Sequence, residues 1–209
     1  MTTMMITYEF TNNWFDETAR KVWDDLIVKL SPARILEVGS YEGASTCYLI
    51  ETLGAHKALE IHCVDTWLGG IEHATLDMAV VEQRFARNIQ RAKEQAGHTI
   101  DVTIHKAGSD LALSELLASG KRGYFDFVYI DGSHQAPDVL CDAVLGFRLL
   151  RKGGVMAFDD YLWQEPLQGG ADLLRCPKPA IDAFTNLHMR QLRVLKAPLN
   201  QLYVQKTTA

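Results

Sequence analysis

The chain has 209 residues, 47% of them hydrophobic and 22% charged, which is enough to bury one sizeable core in a single domain spanning 1–209. Its formal net charge of -5 leaves no basic stripe, so neither nucleic acid nor an anionic membrane surface is expected as the main partner. Residues 1–10 lack the basic and apolar regions of a targeting signal, and no apolar run approaches the ~20 residues that span a bilayer. We therefore expect a cytoplasmic protein that binds a small molecule.

Strand-like and helix-like patterns alternate along the chain. Helical spacing of apolar residues predicts an N-terminal helix over 13–30. After it, five apolar runs predict strands, and four helical patterns predict the segments between them. The strands are 34–38, 59–64, 100–105, 124–130 and 155–158; the helices are 44–53, a stretch from Val81 that stops at Gly97, 110–117 and 139–150. Regular alternation of this kind predicts a parallel sheet with right-handed crossovers.

The tail has a different pattern. Residues 191–195 and 201–205 form two strand-like runs with only five residues between them, too few for a helical crossover. They must therefore pair as an antiparallel hairpin. The fold class predicted from these patterns is α/β, a Rossmann-like, mostly parallel seven-stranded sheet with helices on both faces and an antiparallel C-terminal hairpin.

Carboxylates follow two of the apolar strands, at the point where each strand ends. Asp131 follows 124–130, and the pair Asp159 and Asp160 follows 153–158. Ligands of open α/β sheets bind beyond the carboxyl ends of the strands, so these three acids are expected to converge on one rim. Close carboxylates repel one another and imply a compensating cation, either a hard metal ion or basic side chains.

The turn after the first strand is rich in glycine. Gly39 and Gly43 allow a ligand to approach the backbone closely, but Tyr41 occupies the position where a dinucleotide fingerprint has its second glycine. A side chain there, next to Glu42, disfavours a pyrophosphate and suits a cofactor without phosphates. A tight turn without a ligand is the alternative, but Asp65, 22 residues after Gly43, is well placed for ribose hydroxyls.

Four segments together carry a resemblance to a known family: 35–43, 64–67, 126–134 and 153–161. In this order they resemble class I S-adenosylmethionine-dependent methyltransferases, and the match extends over about 13–206. Within that superfamily the chain looks most like metal-dependent small-molecule O-methyltransferases, the branch that includes catechol-type and antibiotic sugar enzymes. The resemblance implies a seven-stranded sheet with its last strand antiparallel, in agreement with the hairpin.

The resemblance also implies which residues bind the cofactor S-adenosylmethionine. In the family the acid of the glycine loop meets the methionine amino group, the acid after the second strand binds ribose, and the segment after the third strand contacts adenine. The matching positions are Glu37, Gly39, Ser40 and Gly43; Asp65, Thr66 and Trp67; Ser109 and Asp110; and Asp131. Two alternatives stay open, namely ordinary core packing for Trp67 and helix capping for Ser109 or Asp110.

By the same resemblance, Asp131, Asp159 and Asp160 match the positions that hold a divalent cation, expected to be Mg²⁺, which would activate a substrate hydroxyl. Asp131 and His134 are the expected catalytic residues, His134 as the base that takes the hydroxyl proton. The alternatives are that His134 caps the next helix and that the acid pair caps a helix or pairs with Arg175 or Lys178. Catechol-type enzymes usually have an amide as the last metal ligand, and Asp160 departs from that pattern.

Two loops flank the expected site. Residues 161–179 follow the acid pair, contain Trp163, Pro166 and Gly169, and are predicted to form a substrate lid. Residues 66–75 are expected to form the opposite wall, although both could be plain surface connections. The predicted function is methyl transfer to a hydroxyl of a sugar, polyketide or phenol. A metal-independent methyltransferase is the alternative, and a nucleotide-cofactor oxidoreductase or a binding module is less favoured. Two interpretations stay open for the N-terminal helix with Trp14 and Trp23: it covers the core, or it makes the subunit contact of a homo-oligomer.

Overall fold

The computed structural model describes residues 7–70, 73–165, 167, 170 and 172–209. Its strands are β1 Arg34–Val38, β2 Leu59–Val64, β3 Ile100–His105, β4 Phe125–Ile130, β5 Leu150–Phe158, β6 Leu192–Leu195 and β7 Leu202–Lys206. Its helices are α1 Trp14–Glu17, α2 Arg20–Leu30, α3 Ala44–Gly54, α4 Met78–Gln95, α5 Ser109–Ala118, α6 Ala136–Leu149 and α7 Pro177–Leu187, with a 3-10 turn at Leu173–Arg175. No helix in these ranges has the length and apolar character needed to cross a bilayer.

The strands form one seven-stranded sheet in the order β3-β2-β1-β4-β5-β7-β6. Strands β1 to β5 pair in parallel, whereas β7 runs antiparallel to both β5 and β6. The predicted fold class and the C-terminal hairpin are thereby confirmed. The order differs from the 3-2-1-4-5-6 of a doubly wound dinucleotide-binding sheet because the hairpin inserts β7 between β5 and β6.

Both faces of the sheet are covered, which explains the near-continuous apolar strands. Successive side chains of a strand point to opposite faces, so Ile35 and Phe127 enter one core and Leu36 and Val128 enter the other. The first core lies under α2, α3 and α4, and the second under α5, α6 and α7. Because the five parallel strands point the same way, their carboxyl ends meet at one edge, where the acids were expected.

Three of the differences between the observed and the predicted element bounds have a local cause. The N-terminal helix is two helices, interrupted at Thr18, whose hydroxyl donates to the carbonyl of Trp14. Helix α6 begins at Ala136, three residues early, with Pro137 in its first turn. Strand β5 begins at Leu150, so Gly154 lies within the strand, where a side chain would meet the Asp126 carbonyl.

Gly39 and Gly120 allow a matched test of steric crowding, because both have left-handed backbones, with φ of 84° and 87°. A Cβ on Gly39 would lie 1.9 Å from the Asp131 carbonyl oxygen, whereas one on Gly120 would meet nothing within 4 Å. We expect Gly120→Ala to lower the free energy of unfolding by about 1 kcal/mol, from backbone strain alone. Gly39→Ala should lower it by about 3 kcal/mol or more. Urea unfolding followed by circular dichroism measures both, and equal losses would contradict the crowding at Gly39.

Candidate functional site

The glycine loop after β1 is held against the loop after β4. Gly39 donates its N–H to the carbonyl of Val64, and the N–H of Asp131 is bonded to the carbonyl of Val38. The absent side chain of Gly39 lets the backbones of the two loops touch. Tyr41, at the position of the expected second glycine, has a φ of 47°, which is strained for a residue with a side chain. The predicted cofactor loop and the first acid of the cluster are therefore in direct backbone contact.

Glu37 is fully buried beneath this loop, where its carboxylate has three hydroxyl donors. Ser40 Oγ donates at 2.7 Å, and Ser45 and Thr46 of α3 each donate at 2.5 Å. Burial raises the pKa of Glu37, and the three hydrogen bonds act in the opposite direction. In this structure Glu37 fixes the loop and the start of α3, and its contact with a cofactor amino group stays a prediction.

Asp65 joins the turn after β2 to the glycine loop. Its Oδ2 accepts from the N–H groups of Ser40 and Tyr41, both at 2.9 Å, and its Oδ1 accepts from Trp67 N–H at 2.7 Å. Trp67 is buried, lies 5.0 Å from the Phe85 ring, and donates its indole N–H to the Tyr41 carbonyl. Core packing, one of the two interpretations of Trp67, therefore accounts for its position. The Thr66 hydroxyl accepts from the Leu68 N–H within the same turn.

The segment after β3 begins helix α5 at Ser109, with Gly108 as the N-cap residue and no capping bond from a side chain. Asp110 is exposed in the first turn. Beside this turn lies Asp142 of α6, which is 1% exposed and whose Oδ1 has no hydrogen-bond partner among the described residues. Burial raises the pKa of Asp142 to about 6, although a hydrogen bond with Ser109 lowers it. Asp142 was not singled out from the sequence.

The three strand-end acids converge as expected. Burial, and then the charges of Asp159 and Asp160, raise the pKa of Asp131 well above its usual value. Burial followed by the charge of Asp160 raises the pKa of Asp159 to about 6. A cavity of about 10 Å³ adjoins the three side chains, which is roughly the space that one water molecule needs. The acids therefore form one mutually repelling cluster beside a small cavity.

The fit of this cluster to a metal ion depends on its donors. Three carboxylates are the ligands that Mg²⁺ prefers, and their repulsion is what a cation would relieve. Within the described residues no group of three or more His, Cys, Asp and Glu side chains has the arrangement of a ready metal site. Arg175 is paired with Glu165 and Lys178 with Asp182, so each of these two cations has an acid partner outside the cluster. The donor chemistry thus fits a hard cation, while the carboxylates are held by other partners in this structure.

His134 lies within the acid cluster and does not cap a helix, because the N-cap residue of α6 is Gln135. Its Nε2 is 2.9 Å from Asp160 Oδ2, and its ring stacks on Trp163 with centroids 4.1 Å apart. Asp160 itself has a φ of 53°, a strained backbone that turns the chain towards Trp163. A carboxylate on one imidazole nitrogen fixes the ring's orientation, which is the arrangement of an imidazole base and its partner.

The predicted lid, 161–179, is described only in part: Pro166 and Gly169 lie outside the described residues. An open cleft of about 280 Å³ lies between this segment and α7. Tyr161, Trp163, Leu173, Cys176 and Lys178 line it. On the other side of the site, where 71 and 72 lie outside the described residues, His73 stacks on Tyr41 with ring centroids 5.3 Å apart. The described parts of the two loops make no contact that identifies a substrate, and their roles as lid and opposite wall stay predictions.

Sequence reasoning missed the polar side chains that hold the acids. Tyr129 donates its hydroxyl to Asp159 Oδ2, and Gln201 contacts the same hydroxyl at 3.4 Å. Tyr129 was interpreted only as part of an apolar strand, although it lies two residues before Asp131 and hence on the same side of the chain. The partners of Glu42 were also missed: its buried carboxylate pairs with Arg84 and accepts hydrogen bonds from Thr11.

The chain matches a family model described as a methyltransferase domain over residues 36–161. A probable caffeoyl-CoA O-methyltransferase of Dictyostelium discoideum is 24% identical over 74% of this chain and 57% of its own length. The chain thus spans little more than half of that relative. Among solved structures, an O-methyltransferase from Bacillus cereus in complex with SAH has a TM-score of 0.58 at 19% identity, covering 96% of this chain and 84% of its own. A TDP-rhamnose 3'-O-methyltransferase of calicheamicin biosynthesis has a TM-score of 0.58 at 13% identity, covering 91% and 80%. At these identities the two structures support the fold.

The buried Asp142 should make the free energy of unfolding depend on pH. Its pKa is about 6 in the fold, against the usual 3.8, so the folded state binds the proton more tightly and stability falls as pH rises between the two values. We expect Asp142→Asn to raise the free energy of unfolding by about 3 kcal/mol at pH 7.5, and by little near pH 4. Urea unfolding of both proteins at the two pH values measures this. Asp101→Asn, which changes an exposed acid of β3, is the control, and a difference independent of pH would contradict the burial effect.

Proposed function

Because the chain belongs to the methyltransferase domain family, we propose that it transfers the methyl group of S-adenosylmethionine to a hydroxyl oxygen of a small metabolite. The bond between the methyl carbon and the sulfonium sulfur breaks, and a bond from that carbon to the hydroxyl oxygen forms. The cofactor leaves as a neutral thioether, and the hydroxyl proton passes to a base of the protein. The backbone contact between Gly39 and Asp131 carries the proposal, because it joins the cofactor loop to the acids that would receive the hydroxyl.

The cofactor would lie along the rim formed by the turns after β1, β2 and β3. Glu37 lies near the end of β1, Asp65 follows β2 and Ser109 begins α5 after β3. The family resemblance assigns these three positions to the methionine, ribose and adenine ends of the cofactor. Asp65 and Glu37 already have donors from the protein, which hold the loops in place before a ligand enters. A site formed in advance loses less entropy on binding.

We further propose that Asp131, Asp159 and Asp160 hold a divalent cation, Mg²⁺ being the expected one. When bound, such an ion acts as a Lewis acid that lowers the pKa of a hydroxyl. His134 is the residue placed to accept the proton, since its orientation is set by Asp160 and its ring is held by Trp163. The support is the mutual repulsion of three neighbouring carboxylates, which a cation offsets.

One observation favours a second candidate, a metal-independent methyltransferase. His134 and Asp160 already form a pair, and an imidazole oriented by a carboxylate can remove a proton without a cation. In that case Asp160 orients the base, and Asp131 and Asp159 keep their present hydrogen-bond partners. The two candidates differ in whether Mg²⁺ changes the rate.

The acceptor would enter through the cleft between 161–179 and α7. Tyr161 and Trp163 provide aromatic surface. The Trp163 ring also stacks on His134, so one wall of the cleft is in contact with the proposed base. A ring-shaped acceptor such as a sugar, a polyketide or a phenol suits a cleft of about 280 Å³ with aromatic walls.

The test begins with calorimetric titration of S-adenosylmethionine into chelator-treated protein, followed by Mg²⁺. We expect the cofactor to bind, and Mg²⁺ to bind in a separate isotherm that Asp131→Asn weakens at least tenfold. Asp101→Asn, which changes an exposed acid of β3, should leave both isotherms unchanged. Failure of the cofactor to bind would overturn the methyltransferase proposal.

His134→Gln then distinguishes the base from the cation. With any accepted hydroxylated substrate, we expect kcat to fall about 10² to 10⁴-fold while cofactor affinity stays the same, because only proton removal is lost. If activity is unaffected by Mg²⁺ and by chelator, the metal-independent candidate replaces the first. If His134→Gln retains full kcat, the residue is not the base in either candidate.

A further inference from the structure

A line of buried hydrogen bonds connects helix α2 to the acid cluster. The indole N–H of Trp23 is 3.1 Å from the Tyr203 hydroxyl, which in turn donates to Gln201 Oε1. Gln201 Nε2 is 3.4 Å from the Tyr129 hydroxyl, and that hydroxyl donates to Asp159 Oδ2. Trp23, Tyr203, Gln201 and Tyr129 are each no more than 2% exposed, so water does not compete for these bonds.

The direction of the protons along this line is determined from both ends. An indole N–H can only donate, so the Tyr203 hydroxyl must accept from Trp23 and pass its own proton towards Gln201. An ionised carboxylate can only accept, so Tyr129 must give its single proton to Asp159 and accept from Gln201. Gln201 satisfies both requirements when its oxygen faces Tyr203 and its amide nitrogen faces Tyr129. Every donor in the line therefore points towards Asp159.

Hydrogen bonds aligned in this way polarise one another, and the effect is larger in a buried, low-dielectric setting. The last donor, Tyr129, also interacts with Asp131, so its hydroxyl lies between two acids of the cluster. The remaining oxygen of Asp159 accepts from the Asp160 N–H at 2.9 Å. Asp159 is thus held at both oxygens, on one side by the local backbone and on the other by Tyr129 of β4, which Gln201 contacts from just before β7.

We propose that Tyr129 and Gln201 are positioning residues, which hold the Asp159 carboxylate in the orientation that a cation needs, with Tyr203 and Trp23 anchoring them to α2. This inference rests on the proposed cation site. Filling the core does not require these four polar side chains. Phe127 fills the neighbouring inward position of β4 with an apolar ring that needs no hydrogen bond. The single direction of the donors and their end at a cluster acid point to a role in the site.

The test measures Mn²⁺ binding to the full chain by electron paramagnetic resonance, for variants that break the line at successive points. Tyr129→Phe should weaken Mn²⁺ binding at least tenfold, the usual effect of losing a group that orients a metal ligand. Gln201→Met and Tyr203→Phe, which break the line one and two bonds further from Asp159, should weaken it less, in that order. S-Adenosylmethionine affinity should stay at the wild-type value in all three variants. A general loss of structure would instead weaken the binding of both Mn²⁺ and the cofactor.

Tyr124→Phe is the matched control, because it removes a tyrosine hydroxyl that donates to the carboxylate of Glu60 at 2.6 Å, away from the cluster. It should leave Mn²⁺ binding unchanged. Wild-type Mn²⁺ affinity in all three variants would overturn this inference and leave the cation site standing. If the wild-type protein binds no Mn²⁺, the proposed cation site fails and this inference fails with it. If Tyr129→Phe does not fold, the order of Gln201→Met and Tyr203→Phe decides the matter.

Discussion

The contact between Gly39 and the Asp131 backbone is the constraint on which the site depends. Strands β1 and β4 are neighbours in the sheet, so the loops that follow them leave the same edge side by side. Only a residue without a side chain lets these loops touch. The cofactor loop and the acid cluster consequently share one backbone framework, and a shift in either loop moves the other. This coupling is useful to an enzyme whose two substrates must meet within bonding distance.

The acids of the rim differ in how their charges are compensated. Glu37 has three hydroxyl donors and Asp65 has three backbone N–H donors, so each is stabilised by neutral groups around it. Asp131 and Asp159 instead have other acids as neighbours, and their pKa values are raised. Neutral donors surround the first two acids, although burial still raises the pKa of Glu37, whereas the cluster brings three acids together and so has a surplus of acidic groups. This surplus distinguishes the acids of the cluster, which a cation would stabilise, from Glu37 and Asp65, which hold loops in place.

The sheet could be predicted from the sequence because burial on both faces leaves a strong signal. Every residue from Phe127 to Ile130 is buried, and a short apolar run of this kind, repeated between helical segments, is typical of a strand in a covered parallel sheet. The bounds were less predictable where a local exception decided them. The hydroxyl of Thr18 competes with the helix backbone, and the predicted fifth strand began only at Val155, after a glycine pair that in fact continues β5. Both exceptions depend on contacts that a hydrophobic pattern does not contain.

In the site, the acids could be predicted because their positions follow from the ends of strands, which is a local property of the chain. Their partners could not, because Gln201 meets Tyr129 across 72 residues of sequence, and only the sheet order brings β7 beside β5 and close to β4. Asp142 was missed for a related reason, since its neighbour Ser109 lies on another helix. Tyr129 is an intermediate case. A tyrosine that precedes a strand-end acid by two residues shares its side of the chain, and a buried phenol needs a hydrogen-bond partner, so such a residue is better interpreted as part of the polar site than of the core.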